Sequence, residues 1–413
     1  MAEYGTLRLM ARIDKLLKMV MTKEGVSKEE QDKLVDEAVA ERNAMRGMTR
    51  TLRLMGEPVP EGEIFPAESA QKINEVASRD LIRHYADGIG DDNPLWRDVT
   101  YARNTRWGGI TAPGPFLHCI AWGTQGYPAG SPPGTNWTFF KPIMEGDTFT
   151  VFDTLGGLKE VTKPGGRRSF IESNFRTYVN QKGETVGVAE RLMIQTVRPA
   201  ANRVQTAAEG LTRYKYTEEE IADIESQYDK ETRRGAVPRY WDNVTVGEEL
   251  QPVVKGPITI MDMVAFAQCG FQYPAHGLMR ARRRWVVGHV FIDKETGISN
   301  DGGSMHYDDK LARHVAAPLA TNYGEQTVSW AGHLLTNWMG DDAFMKKLNT
   351  RLFQYIPHGD TVWCKGKVVK KYEEDGKFLV DIDLECTNQK QVKVAGGNAT
   401  IQLMAIGQGI MTI

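Results

Sequence analysis

The sequence is short of several features that would each point to a class of protein. Its four cysteines are scattered without a Cys-x-x-Cys pair, which argues against a zinc ribbon, a thioredoxin-type motif and a disulfide scaffold. No apolar run reaches the length of about 18 residues that a membrane-spanning helix needs. Its 51 basic and 53 acidic side chains nearly balance, so a general nucleic-acid binder is not expected. The eight histidines show no His-x-x-x-His spacing, and no metal site is predicted.

What is present is a globular chain long enough for two domains, at 413 residues and 41% hydrophobic composition. The first residues show no signal-peptide pattern, so a reducing, cytoplasmic location is expected, without nucleic-acid or membrane partners. Residues 1–64 are helical in pattern, and Ser27 followed by Glu30 indicates a capping box. Residues 200–235 are charge-rich and predict a linker, in which Thr217 and Glu220 indicate the capped start of a helix.

Between and after these segments, two stretches repeat one spacing. In each copy an Asp precedes a Trp or His by five residues, and that residue precedes a Gly by eighteen: Asp91, Trp96 and Gly114 upstream, and Asp301, His306 and Gly324 downstream. An Asp and an Ala follow two and six residues after the Trp or His: Asp98 and Ala102, and Asp308 and Ala312. Each copy runs from a predicted helix start, at Ser78 and at Thr259, into a strand-like segment. Hairpin turns are predicted at Lys182-Gly183 and at Asp375-Gly376. We name this set of shared intervals the ladder. Chance does not explain the whole set, and we infer an internal duplication.

At "GDDNPLWRD" (90–98) and "DGGSMHYDD" (301–309) the sequence resembles the MaoC-like acyl dehydratases, or R-specific enoyl-CoA hydratases. The resemblance implies an α+β double hotdog: two fused hotdog domains, each a long helix wrapped by an antiparallel sheet. The domain boundaries expected on this basis are an upstream hotdog at 65–199, which binds acyl groups without catalysis, and a catalytic downstream hotdog at 236–413. A helical N-terminal extension precedes them.

Departures from the family pattern indicate which half does chemistry. The upstream half keeps Asp91 and Asn93 but has Trp96 in place of the His, and an indole cannot take up and return a proton at neutral pH. The downstream half keeps the Asp-to-His interval but loses the Gly, Asn and Pro of the signature. In an alternative alignment, "CGFQYPAH" would make His276 the catalytic histidine. We prefer His306, because the downstream ladder follows it and does not follow His276.

Hydration of a 2-enoyl thioester needs a base for the attacking water and donors for the negative charge that collects on the thioester oxygen. The resemblance implies that Asp301 and His306 hold and activate the water. Gly324, at the start of a predicted helix, would let backbone N–H groups approach the oxyanion. The upstream half, which we call the silent half because no catalysis is expected there, has four candidate substrate-binding residues: Asp91, Asn93, Trp96 and Gly114. Arg283 and Arg284, in an Arg-rich insertion, are candidates to bind the phosphates of coenzyme A.

The sequence therefore predicts an acyl-CoA hydratase/dehydratase, a hydro-lyase that interconverts an (E)-2-enoyl-CoA and a 3-hydroxyacyl-CoA. The R configuration is implied by the resemblance alone. Coenzyme A is expected only as part of the substrate, with no other cofactor, and self-association as a dimer is expected from the fold. The silent half is expected to widen the acyl-binding space. Two alternatives stay open: a non-catalytic acyl-thioester binding protein, and a hotdog thioesterase.

Overall fold

One long antiparallel sheet organises the computed structural model of this chain. The structure describes residues 27–44, 46, 49–50, 72–121, 131–162, 168–197, 212–270, 290–293, 295–314, 317–409 and 411–413. Within these ranges the sheet has ten strands.

The elements follow in chain order. The helices are α1 Lys28–Ala44, α2 Arg79–Ile89, α3 Val99–Arg103, α4 Leu117–Ile120, α5 Glu218–Asp229, α6 Ile260–Gly270, α7 Asp309–His314 and α8 Gly324–Met339. The strands are β1 Thr49–Arg50, β2 Thr111–Ala112, β3 Ser131–Phe139, β4 Ile143–Met144, β5 Phe149–Glu160, β6 Ser169–Asn180, β7 Thr185–Thr196, β8 Val253–Lys255, β9 Val290–Ile292, β10 Ser299–Asp301, β11 Phe344–Leu352, β12 Val362–Glu374, β13 Lys377–Asn388 and β14 Lys393–Leu403. Short 3₁₀ helices cover Pro94–Trp96, Gly114–Phe116, Trp241–Asn243 and Gly302–His306.

The strand order of the sheet is β1-β5-β6-β7-β3-β11-β14-β13-β12-β8. The first strand, β1, lies in the N-terminal segment predicted to be helical, so that prediction is wrong at these two residues. The next four strands come from the upstream half and the last five from the downstream half.

The two halves join at the seam between β3 and β11. These strands run antiparallel, with Trp137 opposite Leu348 and Thr135 opposite Thr350. Both Trp137 and Leu348 are fully buried, so the seam belongs to the core. The predicted hairpin between β12 and β13 is present, with Asp375 and Gly376 at positive φ in its turn. The predicted α+β double hotdog is confirmed.

The predicted helix starts are confirmed by their capping contacts. The Ser78 side chain accepts a hydrogen bond from the Leu81 N–H at the start of α2 (3.2 Å). Thr217 and Glu220 form the full capping box of α5, which lies within the segment expected to be a helical linker. The expected borders at 64/65 and 199/200 fall outside the described residues, and the division into 1–64, 65–199, 200–235 and 236–413 stays a prediction.

The repeated ladder has a physical basis in both halves. Asp98 accepts hydrogen bonds from the N–H groups of Thr100 and Tyr101 in the first turn of α3. Asp308 likewise accepts from the N–H groups of Lys310 and Leu311 in the first turn of α7. The alanines four residues after each Asp have no exposed surface. The residues Trp96 and His306 each end a 3₁₀ helix. The shared spacing therefore encodes one repeated turn with an Asp-capped helix.

The central helix α8 differs from the amphipathic helix that its apolar spacing predicts. Its side chains from Gln326 to Met339 are all buried, polar ones included. One side of α8 faces strands of the sheet, and the other contacts α2 and the 3₁₀ helix 114–116 of the upstream half. The corresponding upstream helical segment is described over residues 114–120. Burial on every side means that the polar groups of α8 need partners inside the protein.

The helices α2 and α6 carry the contact between the halves, and Gly88 allows them to approach. A Cβ atom at Gly88 would lie 2.9 Å from the Phe266 Cα and 3.1 Å from the Ala265 carbonyl oxygen, both on α6. Backbone atoms cannot move aside as a flexible side chain can. The two helix backbones are therefore packed at a distance that only glycine permits here.

We expect Gly88→Ala to lower the free energy of unfolding by about 1–3 kcal/mol through overpacking. An ordinary Gly→Ala change inside a helix raises stability by roughly 0.5–1 kcal/mol, so the sign is diagnostic. Urea unfolding followed by far-UV circular dichroism measures the change. Gly109→Ala is the control, since its Cβ would meet only a flexible Met144 methyl at 3.9 Å. A stabilised Gly88→Ala variant would contradict this close packing.

Candidate functional site

His306 is the last residue of its 3₁₀ helix, and a backbone contact determines which of its ring nitrogens carries the proton. Its Nδ1 lies 2.9 Å from the carbonyl oxygen of Thr321. A carbonyl only accepts hydrogen bonds, so Nδ1 must carry the proton in this contact. In the neutral ring the lone pair is then on Nε2. The backbone of Thr321 thereby fixes the tautomer and orientation of the imidazole.

Burial keeps this imidazole uncharged at neutral pH. Loss of hydration lowers the pKa of His306 from 6.5 to about 4, with a smaller contribution in the same direction from His358. The backbone contacts with Thr321 and Asn322 oppose this shift only in part. Burial also lowers the pKa of His358. The ring of His306 is therefore a neutral proton acceptor across the physiological range.

The start of α8 lies directly beside His306. The ring of Tyr323, the residue that precedes Gly324, is 3.9 Å from the imidazole centroid at an angle of 30°. The hydroxyls of Tyr323 and Tyr307 form a hydrogen bond of 2.6 Å. No side chain caps the start of α8. His306 and Gly324, separated by eighteen residues in sequence, are thus brought together by the turn into this helix.

The structure describes Asp301 through its strand alone: it lies at the end of β10, opposite Val290 in β9. Its predicted convergence with His306 on one water molecule stays a prediction. His276, Arg283 and Arg284 lie outside the described residues, so the alternative histidine and the proposed phosphate contacts also stay predictions.

In the upstream half, the retained signature residues bind the far end of α8. Asp91 is buried and accepts hydrogen bonds from the Asn93 N–H (3.0 Å) and the Thr336 hydroxyl (3.2 Å). The Asn93 side-chain amide donates to Asp341, just beyond α8 (2.9 Å), and its oxygen accepts from the Leu95 N–H. These two residues hold the downstream half in place, and neither is placed on an open surface.

Trp96 and Gly114 are also part of the packed interior. Trp96 replaces the family histidine with an indole that is 4% exposed within the main hydrophobic core. A Cβ at Gly114 would lie 2.6–2.9 Å from atoms of the Phe139 ring. Phe139 in turn stacks on Trp137. The space in front of Gly114 is therefore filled by an aromatic ring.

Next to Asp91 lies a buried charged group that sequence reasoning missed. The Lys255 Nζ, on β8, is within hydrogen-bond distance of the Ile89 and Gly90 carbonyls at the end of α2 (2.7 and 3.3 Å) and of the His333 Nδ1 (2.7 Å). An ammonium group has three N–H donors, and this arrangement provides three acceptors. The His333 Nε2 lies 3.2 Å from a Glu231 oxygen and 3.9 Å from Asp91.

This buried cluster, formed by Lys255, His333, Glu231 and Asp91, fixes the tautomer of His333. Because Lys255 donates to Nδ1, the remaining proton of the ring is on Nε2, which faces carboxylates. The Nδ1 lone pair of His333 is therefore already used, and its Nε2 carries the proton. Asp91 of the upstream half thus lies near an imidazole of the downstream half that has no unprotonated nitrogen free to act as a base.

We expect Lys255→Met to lower the free energy of unfolding by about 3–5 kcal/mol, because it removes one member of a buried, paired charge group and leaves three acceptors without a donor. Chemical denaturation measures the loss. Lys367→Met on β12 is the control, since that side chain is 56% exposed and its ion pair with Glu249 is at the surface. Equal stability of the two variants would show that the cluster does not join the halves.

The described residues lack both a metal-binding cluster and a membrane-spanning helix. No group of three or more His, Cys, Asp or Glu side chains is arranged to hold a metal ion there. In the same part of the chain, no helix has both the length and the apolar composition to cross a bilayer. All four cysteines are buried and free.

Comparisons with known proteins agree with this geometry. Residues 65–189 match the family model of the FAS1-like dehydratase domain region. A solved MaoC-like dehydratase aligns with a TM-score of 0.54 at 15% identity, over 81% of this chain and 97% of the other. The chain has the double-hotdog fold of the MaoC-like dehydratases. A MaoC-domain dehydratase structure from Chloroflexus aurantiacus J-10-fl is similar, with a TM-score of 0.53, 14% identity, and coverage of 82% and 96%.

Relatives by sequence match only part of this double hotdog. A UPF0336 protein of Parafrankia sp. (strain EAN1pec) is 29% identical over 119 residues, which are 26% of this chain and 76% of the relative. A UPF0336 protein of Streptomyces avermitilis is 24% identical over 111 residues, 24% of this chain and 71% of the relative. The resemblance to MaoC-like dehydratases inferred from the sequence is therefore confirmed.

Proposed function

We propose that the chain is a hydro-lyase that interconverts an (E)-2-enoyl-CoA and a 3-hydroxyacyl-CoA, with His306 as the base. The observation that carries this proposal is the contact of the His306 Nδ1 with the Thr321 carbonyl, together with a pKa lowered by burial. These two features give a neutral imidazole whose Nε2 lone pair can accept a proton. The fold shared with MaoC-like dehydratases supports the same chemistry.

In the hydration direction, the His306 Nε2 removes a proton from water as the water oxygen forms a bond to C3 of the enoyl group. The electron pair of the double bond moves toward the thioester, and negative charge collects on its oxygen. Backbone N–H groups at the start of α8, near Gly324, and the positive end of the helix dipole would stabilise that charge. The proton on His306 then returns to C2. Asp301 is proposed to hold the water beside His306.

This reaction needs proton transfer and stabilisation of an oxyanion. We therefore propose no cofactor other than the coenzyme A that forms part of the substrate. The R configuration of the product rests on the family resemblance. Arg283 and Arg284 are proposed to bind the phosphates of coenzyme A, and a dimer is the proposed assembly. A role limited to acyl-thioester binding and a thioesterase activity are the competing functions.

One assay separates these three functions. The full chain is mixed with crotonyl-CoA, and the enoyl absorbance and the release of free thiol are followed in parallel. Hydration lowers the enoyl absorbance without release of free thiol, whereas hydrolysis releases free thiol. If neither signal appears and the protein still binds the thioester, the chain is a binding protein and the hydratase proposal is refuted.

We expect His306→Gln to lower kcat/KM for hydration by about 10²–10⁴-fold, because glutamine keeps a polar side chain but cannot take up a proton. Steady-state rates on crotonyl-CoA measure the loss, and circular dichroism checks that the variant is folded. His84→Gln on α2 is the control for a general effect of removing a histidine. Full activity of His306→Gln would transfer the role of base to another residue, with His276 the first to test.

The pH dependence follows from the direction of the His306 pKa shift. A base works only when unprotonated, so kcat/KM is lost as the pH falls through the pKa. We expect the acid limb of kcat/KM near the pKa of about 4, well below the usual 6.5, and a flat profile at neutral pH. An acid limb at the ordinary value, measured with folded protein, would mean that a hydrated histidine does the work.

A further inference from the structure

Five aromatic rings extend from His306 into the core, each in contact with the next. We name them the aromatic row: Tyr323, Phe266, His118, Tyr85 and Phe116. The centroid separations are 5.8 Å for Tyr323–Phe266, 5.5 Å for Phe266–His118, 6.5 Å for Phe266–Tyr85, 5.4 Å for Tyr85–His118 and 5.7 Å for Tyr85–Phe116. Each of the five side chains is at most 1% exposed. The row is therefore a continuous internal structure that begins at His306.

Tyr323 and, next to it, Phe266 place aromatic rings on one side of His306. Two other neighbours of the imidazole are polar: the Thr321 carbonyl at its Nδ1, and His358, whose carbonyl accepts a hydrogen bond from Arg213 (2.7 Å). An alkyl tail attached to a carbon that faces His306 is stabilised by apolar contact and destabilised where it covers polar groups without partners. Such a tail would therefore be favoured on the side of Tyr323 and Phe266.

The row leaves little room for such a tail. Carbon atoms in contact lie about 3.5–4.0 Å apart, so an alkyl chain between two rings would need roughly 7–8 Å between them. The observed separations are those of rings in direct contact. Tyr85 and Phe266 stand on α2 and α6, whose backbones also touch at Gly88. Room for a long chain would require these helices to separate, and with them the two halves.

We propose that the aromatic row closes the acyl end of the site, so that the substrates are short-chain enoyl thioesters and Phe266 sets the length limit. This inference rests on the proposed function and specifies its substrate class. It reverses the expectation that the silent half widens the acyl-binding space. The upstream half instead supplies Tyr85, His118 and Phe116, which fill that space.

The first test compares chain lengths with the unmodified full chain. We expect kcat/KM for crotonyl-CoA to exceed that for trans-octenoyl-CoA by at least about 100-fold, since each misfitting methylene costs roughly 10-fold or more. Equal rates on the two substrates would overturn the length limit and leave the hydratase proposal standing. Binding of butyryl-CoA and octanoyl-CoA, measured by calorimetry, gives a readout without turnover. Should no hydration occur, weaker binding of octanoyl-CoA would still support the closed acyl end, and equal or tighter binding would overturn it.

The second test enlarges the space at one ring. We expect Phe266→Ala to raise the ratio of octenoyl to crotonyl kcat/KM by about tenfold or more, and to tighten octanoyl-CoA binding relative to butyryl-CoA. Phe170→Ala is the matched control, because Phe170 is buried in a separate cluster with Val35 and Leu158. Phe266→Leu keeps an apolar side chain and serves where the alanine variant does not fold. A folded Phe266 variant with an unchanged ratio and unchanged relative binding would overturn the role of this ring.

Discussion

The helix α8 has no side facing water, and much of the molecule is arranged around that constraint. A buried helix with polar side chains is stable only when each polar group finds a partner. Here Thr336 meets Asp91, His333 meets Lys255 and Glu231, and Asp341 beyond the helix meets Asn93. The contacts with Asp91 and Asn93 cross to the upstream half, and the contact with Glu231 crosses to the linker. Lys255 belongs to the downstream half, but it also donates to the Ile89 and Gly90 carbonyls of the upstream half. The upstream half therefore supplies partners for polar groups that the downstream half buries.

This constraint explains why the upstream copy holds Asp91 and Asn93 in its turn although it has Trp96 where the downstream copy has His306. Asp91 and Asn93 organise a turn through the Asn93 and Leu95 N–H groups and also bind the end of α8. Neither task requires a base at position 96, and the indole of Trp96 fills core volume there. In the downstream half the corresponding turn carries His306, and there the backbone of Thr321 and the ring of Tyr323 orient the imidazole. The same turn thus supports packing in one copy and proton transfer, as proposed, in the other.

Local signals in the sequence predicted much of this structure. Ser78, Thr217 and the Asp375–Gly376 turn act within a few residues of chain, so their effects could be read without tertiary information. The repeated spacing predicted the duplication because the caps at Asp98 and Asp308 recur with it. The cluster at Lys255 was missed, since its partners are 78 and more residues apart in the chain. Polar residues at positions 333, 336 and 337, at helical spacing within an apolar helix, were the one available signal.

The seam between β3 and β11 has a consequence for the independence of the two copies. Each half on its own would end in a strand whose N–H and C=O groups lack partners along the Trp137–Leu348 register. Such an edge recruits another strand, whether from a second molecule or in an aggregate. By pairing the two edges within one polypeptide, the duplicated chain removes a surface at which unrelated copies could associate. Because the two strand edges pair within one chain, the two copies stay associated even where their sequences differ.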